Sequence, residues 1–208
     1  MSVLGPIMDA SLPEQSLVNH LKDYLPIFLA AVDEERGFTP GFTSPPKAWE
    51  IVSQLDFSSE PQYPSIFIVS PGAAEPPKRE GNGTIRMTWE MNVAATVQGP
   101  DQAATEKLAK RYAAAILGAI MAKRSLGDPN VRGTDYMGDS YDDLPMGEKR
   151  TKQIAFLRFQ IEYDHVARSL MVNIPNDPPD DPTTPLPDYP TLPDIDHVFV
   201  DVVEKEDQ

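Results

Sequence analysis

The chain has 208 residues, a formal net charge of −14, 22 prolines and no cysteine. Without cysteine, disulfide scaffolds, thiol nucleophiles, zinc ribbons and iron–sulfur clusters are excluded, and the acidic balance disfavours nonspecific capture of nucleic acid, which needs cations to neutralise phosphates. No apolar run approaches the ~20 residues of a membrane-spanning helix, and residues 1–10 hold neither a basic leader nor a long apolar stretch, so a soluble protein outside the usual export route is expected.

Residues 1–10 form an N-terminal extension. Ser11 and Glu14 then have the spacing of a capping box, with Pro13 tolerated in the first turn, and predict a helix from about residue 12. Its apolar stripe is Leu17, Leu21, Leu25, Phe28, Leu29 and Val32. Pro26 removes one helical hydrogen bond and predicts a kink or an early break. Residues 36–46 follow as a loop, residues 48–55 as a strand, and residues 63–69, apolar and β-branched between prolines, as a buried strand. Residues 71–82 read as a polar loop.

The strongest periodicity comes next. Ile85, Met87, Trp89, Met91, Val93, Ala95 and Val97 are apolar at every second position, the pattern of a long half-buried strand. Gly99-Pro100-Asp101 ends it and opens a helix over residues 101–126, in which Leu108, Tyr112, Ala115, Ile116, Ala119 and Ile120 share a face. Lys123 and Arg124 fall in its last turn, where cations suit the helix dipole. Residues 131–149 read as an irregular acidic link with a short strand at most, before Ala155, Leu157, Phe159, Ile161 and Tyr163 alternate along a second long strand. This order predicts an α+β domain over residues 11–170, a mostly antiparallel sheet with two helices packed on one face.

Beyond it the composition changes. Residues 171–208 carry eight prolines and ten acids against Lys205 alone. Proline lacks an amide donor and holds its predecessor extended, so residues 171–194 form an acidic, proline-rich spacer of polyproline character and complete an extended Pro/Asp-rich C-terminal arm. Residues 195–208 turn β-prone again through Ile195, Val198, Phe199, Val200 and Val202, a segment suited to adding a strand to a sheet edge. A disordered end with a chance apolar patch is the other reading.

The commoner phosphate-loop, dinucleotide, metalloprotease and hydrolase motifs are absent, and no catalytic, cofactor-binding or metal site is assigned. Asp135, Asp139, Asp142 and Asp143 offer oxygen ligands to a hard cation, but without the spacing of an EF-hand; a solvated acidic surface is the simpler reading. Asp164-His165 and Asp196-His197 resemble oriented acid–histidine pairs, yet strand neighbours point to opposite faces. Lys78, Arg79, Lys107, Lys110, Arg111, Lys149, Arg150 and Lys152 are either ordinary solvated positions or one positive face that meets acidic surface on an identical neighbour.

The opening helix, the Tyr63-Pro64-Ser65-Ile66-Phe67-Ile68-Val69 run, the long Thr88-Trp89-Glu90-Met91-Asn92-Val93 strand leading into the second helix, and the closing strand over residues 154–164 resemble the tail terminator, or tail-completion, proteins of long-tailed bacteriophages. The minor tail protein U of lambda-like phages typifies them. The resemblance spans roughly residues 10–168 and lies in element order, with no diagnostic motif. It leaves the acidic proline-rich arm outside the common pattern.

The resemblance implies a structural virion protein rather than an enzyme: a hexameric ring, assembled in the host cytoplasm, that sits at the tail neck, caps the tail tube and ends its polymerisation. Implied partners are further copies of the chain, the tail tube protein and the head–tail connector proteins, with DNA passing through unbound and no cofactor. Asp135, Asp139, Asp142 and Asp143 then become candidates for a lumen or interface, and the segment from Ile195 to Val202 for an inter-subunit arm. Another neck, connector or head-completion protein, a metal-assisted enzyme built on the acidic residues, and a plain adaptor remain alternatives.

Overall fold

A computed structural model describes residues 9–52, 62–80, 84–144 and 152–165, all within one packed unit. The first element, α1 (Ser11–Glu35), buries Leu17, Leu21, Leu25, Leu29 and Val32, the stripe set by helical periodicity. The helix continues through Pro26 without a break, and Pro26 lies exposed. The capping box does not form. Ala10 precedes the helix with no side-chain cap, and the Ser11 N–H donates to Asp9 at 2.9 Å. Glu14 reaches away from the helix end and accepts the Ser70 N–H at 3.1 Å. Burial raises the pKa of its carboxyl. A strand amide within reach has displaced the local cap.

The strands are β1 (Ala48–Ile51), β2 (Ser65–Ala73), β3 (Lys78–Arg79), β4 (Ile85–Gln98), β5 (Val131–Leu144) and β6 (Lys152–His165), with α2 (Gln102–Ala122) between β4 and β5. They form one sheet in the order β1-β2-β4-β6-β5, and β3 also pairs with β4. Only β1–β2 is parallel. The α+β class expected from the sequence is therefore present. The C-terminal arm, including Ile195, Val198, Phe199, Val200 and Val202, lies outside the described residues.

Two stretches expected as irregular are strand. Residues 71–73 extend β2 past a register shift between Val69 and Gly72, and residues 78–79 are β3. The larger correction is β5, 14 residues long where an irregular link was expected. Register shifts fall between Val131 and Gly133 and between Tyr136 and Gly138, where Gly138 has φ 132°. Each shift reverses which face the following residues occupy. Opposite the helix-facing residues of β6 stand Val131, Thr134, Tyr136 and Tyr141, a spacing that no period-two search recognises.

Side-chain alternation divides the sheet cleanly. Ile66 and Ile68, the odd residues from Trp89 to Val97, and the odd residues from Ala155 to Tyr163 form one core with both helices. On the opposite face Phe67, Ala94 and Ile154 form a smaller cluster, with Val52 and Phe156 against it. A Cβ on Gly118 of α2 would stand 2.8 Å from Phe28 Cδ1 of α1, so the missing side chain permits that close approach. Among the described residues no helix is long and apolar enough to cross a membrane.

Candidate functional site

Two features of the unit differ from an ordinary solvated surface: a cavity at one end of the sheet and an acidic sheet edge. The cavity, about 550 Å³, opens where the loop after α1, the starts of β1 and β2, the end of β4 and the first turns of α2 converge. Among the described residues its aromatic lining is Phe38, Phe42 and Tyr63, and its charged lining is Lys47, Lys107 and Arg111, with no carboxylate or histidine.

The frame of this cavity is a buried polar knot. Asp33, fully buried near the end of α1, accepts the Thr43 N–H at 2.7 Å and the Thr43 hydroxyl at 2.6 Å. Its carbonyl also accepts the Phe38 N–H at 2.8 Å. These bonds fold the loop back and bring Phe38 and Phe42 into a stack with centroids 4.6 Å apart. Arg111 projects from α2 with its guanidinium carbon 4.0 Å from the Phe38 centroid and 5.2 Å from that of Phe42, and its Nη1 is 4.0 Å from Asp33 Oδ1. Asp33 thus anchors the loop and balances a cation that is only 7% exposed. Arg111 Nε is enclosed, with no hydrogen-bond partner among the described residues.

The surrounding backbone is equally constrained. Tyr112, beside Arg111 on α2, donates its hydroxyl to the Ser44 carbonyl, and burial pushes its pKa up. The Asp101 side chain caps α2 by accepting the Ala104 N–H at 2.8 Å. A Cβ on Gly99 would sit 2.8 Å from the Thr105 backbone nitrogen, so the turn from β4 into α2 requires glycine. Lys152 is buried with Nζ 4.4 Å from the Tyr63 centroid. The lining thus joins cation to aromatic surface, an arrangement suited to holding an anionic, partly apolar group.

The basic residues, read from the sequence either as ordinary solvated positions or as one positive face, are divided. Lys107 and Arg111 line the cavity, Lys152 lies beside Tyr63, Lys110 pairs with Glu106, and Lys78 and Arg79 sit on β3. Lys149 and Arg150 lie outside the described residues. Phe38, Phe42 and Lys47 carried no signal in the sequence, because only the folded loop brings them to α2.

The four aspartates belong to β5, at the sheet edge, and do not converge. By their partners on β6, Asp135 and Asp142 lie on the face away from the helices, and Asp139 and Asp143 on the helix side. Asp135 pairs with Arg124, which lies past the end of α2 rather than in its last turn and also donates to the Thr134 carbonyl at 2.8 Å. Asp139 accepts the Tyr136 and Tyr141 hydroxyls, which hold its carboxyl below the usual range. Burial and that carboxylate push both phenols up to about 12. Gln153 donates to Asp143 at 3.1 Å. Among the described residues no group of three or more histidines or carboxylates is placed to hold a metal ion.

Asp164 and His165 point apart as strand geometry requires. Asp164 binds Arg86 and Arg132 on one face, while His165 accepts the Trp89 indole N–H at 3.0 Å on the other. The second pair, Asp196-His197, lies outside the described residues.

No protein-family model matches the chain, and no curated protein matches it. Among solved structures, a chain from the virion of a native gene transfer agent particle is similar at 11% identity and a TM-score of 0.45, over 76% of this chain and 99% of that one. A likeness of that size carries no argument, so function rests on the residues themselves.

Proposed function

We propose that the chain is a non-enzymatic structural subunit of a phage-like virion, assembling head-to-tail into a closed, hexameric ring at the tail neck. There it caps the tail tube, ends its polymerisation and offers a surface to the head–tail connector. The observation that carries the ring is the unlikeness of the two sheet edges. Among the described residues, one edge is the long β5 with Asp135, Asp139, Asp142 and Asp143, and the other exposes β1 and, further along, β3 with Lys78 and Arg79. Lys78 shares its charge with Glu75 at 2.5 Å. Joining β5 to β5 in two copies sets like charges against each other, which disfavours that isologous pair and favours a heterologous contact, the kind that closes into a ring when its rotation allows.

The tail-neck location in this proposal is taken from the resemblance of the order of helices and strands to that of tail terminators. A net charge of −14 suits a channel through which DNA slides unbound. Asp135, Asp139, Asp142 and Asp143, all exposed on β5, are the candidates to face a lumen or a neighbouring subunit, and the segment from Ile195 to Val202 is the candidate arm between subunits. Light scattering on the purified full chain at low and moderate salt, with negative-stain images of the same fractions, tests the reading. A closed ring of six copies that shortens tail tubes when added to polymerising tube protein is expected. Tubes of unchanged length with the ring present overturn the capping role.

A further inference from the structure

The cavity beside α2 and the acidic proline-rich spacer are two features that the proposed ring leaves unused, and their chemistries match. Among the described residues the cavity presents three aromatic rings and three cations with no acid in its lining. Arg111 is more than nine-tenths buried there, and among the described residues its counter-charge is Asp33 at 4.0 Å and its Nε has no acceptor. Residues 174–190 hold four aspartates, seven prolines and no basic residue. In a polyproline II helix, of period three, Pro179, Pro182 and Pro185 would share one edge and Asp177 and Asp180 the adjacent one. Aromatic-lined grooves take the proline edge of such helices, and flanking cations select acidic ones.

We infer that this cavity is a docking site for the acidic proline-rich segment, residues 174–190, of a second copy of the chain. The proline edge lies against Phe38, Phe42 and Tyr63, and the carboxylates meet Lys47 and Lys107. Lys47 and Lys107 are exposed, and among the described residues neither forms an ion pair. The inference rests on the chain meeting a copy of itself, and does not need that assembly to be a tail cap.

The test uses the full chain with photoreactive benzoylphenylalanine in place of Phe42, which is 61% exposed. It is mixed with ¹⁵N-labelled chain, irradiated, and mapped by peptide mass spectrometry. Cross-links should join a labelled to an unlabelled chain and end within residues 174–190. Their yield should fall about tenfold in Lys47→Glu with Lys107→Glu, the loss of two screened ion pairs. Cross-links that end elsewhere, that stay within one chain, or that are indifferent to the double substitution overturn the inference. Light scattering on the same samples separates this failure from that of the ring: full ring mass without the cross-link sinks only the docking site, and a monomer that caps no tube sinks the ring.

Discussion

Trp89 and His165 show how a single hydrogen bond ties stability to pH. The indole N–H donates to Nε2 of an imidazole that is 2% exposed, and Nδ1 has no partner. Burial pushes the histidine pKa down, against the smaller pull of the Asp9 and Asp164 carboxylates. In the unfolded chain the imidazole takes its proton near the ordinary value of about 6.5. Below that pH the unfolded state therefore binds a proton that the folded state does not, and stability falls with pH, by at most about 1.4 kcal/mol per unit for one proton. Urea midpoints at pH 7.5, 6.5 and 5.5 should decline more steeply for the native chain than for His165→Gln, and equal slopes would refute the assignment. Strand alternation in the sequence put Asp164 and His165 on opposite faces, but nothing in it named Trp89 as the partner.

Helix α1 and strand β5 mark opposite limits of what periodicity conveys. The leucine stripe of α1 survives Pro26, since four turns of packing against α2 and the sheet outweigh one lost hydrogen bond. Pro26 is exposed, so Pro26→Ala restores a backbone donor without disturbing the core. A gain of about 1–3 kcal/mol is expected, less the entropy returned to the unfolded chain, and is measured as a higher melting temperature. An unchanged or lower melting temperature would mean that the helix depends on the proline. In β5 the opposite holds: two register shifts break the alternation, and long pairing with β6 supplies the order that local sequence lacks.

Charge at the level of the whole molecule decides how copies meet. If the acidic β5 edge faces a basic one in the ring, Asp142→Lys with Asp143→Lys should lower the assembly mass, as should Lys78→Glu with Arg79→Glu, while a mixture of the two variants recovers it. Raised salt should weaken the native assembly, because a contact between exposed charges is screened beyond about 8 Å at physiological ionic strength. A double-lysine variant that keeps full mass would place the contact elsewhere on the subunit. Light scattering at matched concentrations reads all three.

The sequence by itself determined the two helices, the long strands β4 and β6, the antiparallel character of the sheet and the change of composition at residue 171, because each is written in local periodicity or in proline and charge content. It also kept Asp164 and His165 apart. Only the tertiary structure decided that Glu14 serves a strand instead of its own helix, that the four aspartates share an edge strand but not a face, and that Phe38, Phe42, Tyr63, Lys47, Lys107 and Arg111 enclose one cavity. Those residues come from segments up to some seventy positions apart, and what joins them is burial of Asp33 and Arg111 together, a contact that no local pattern encodes.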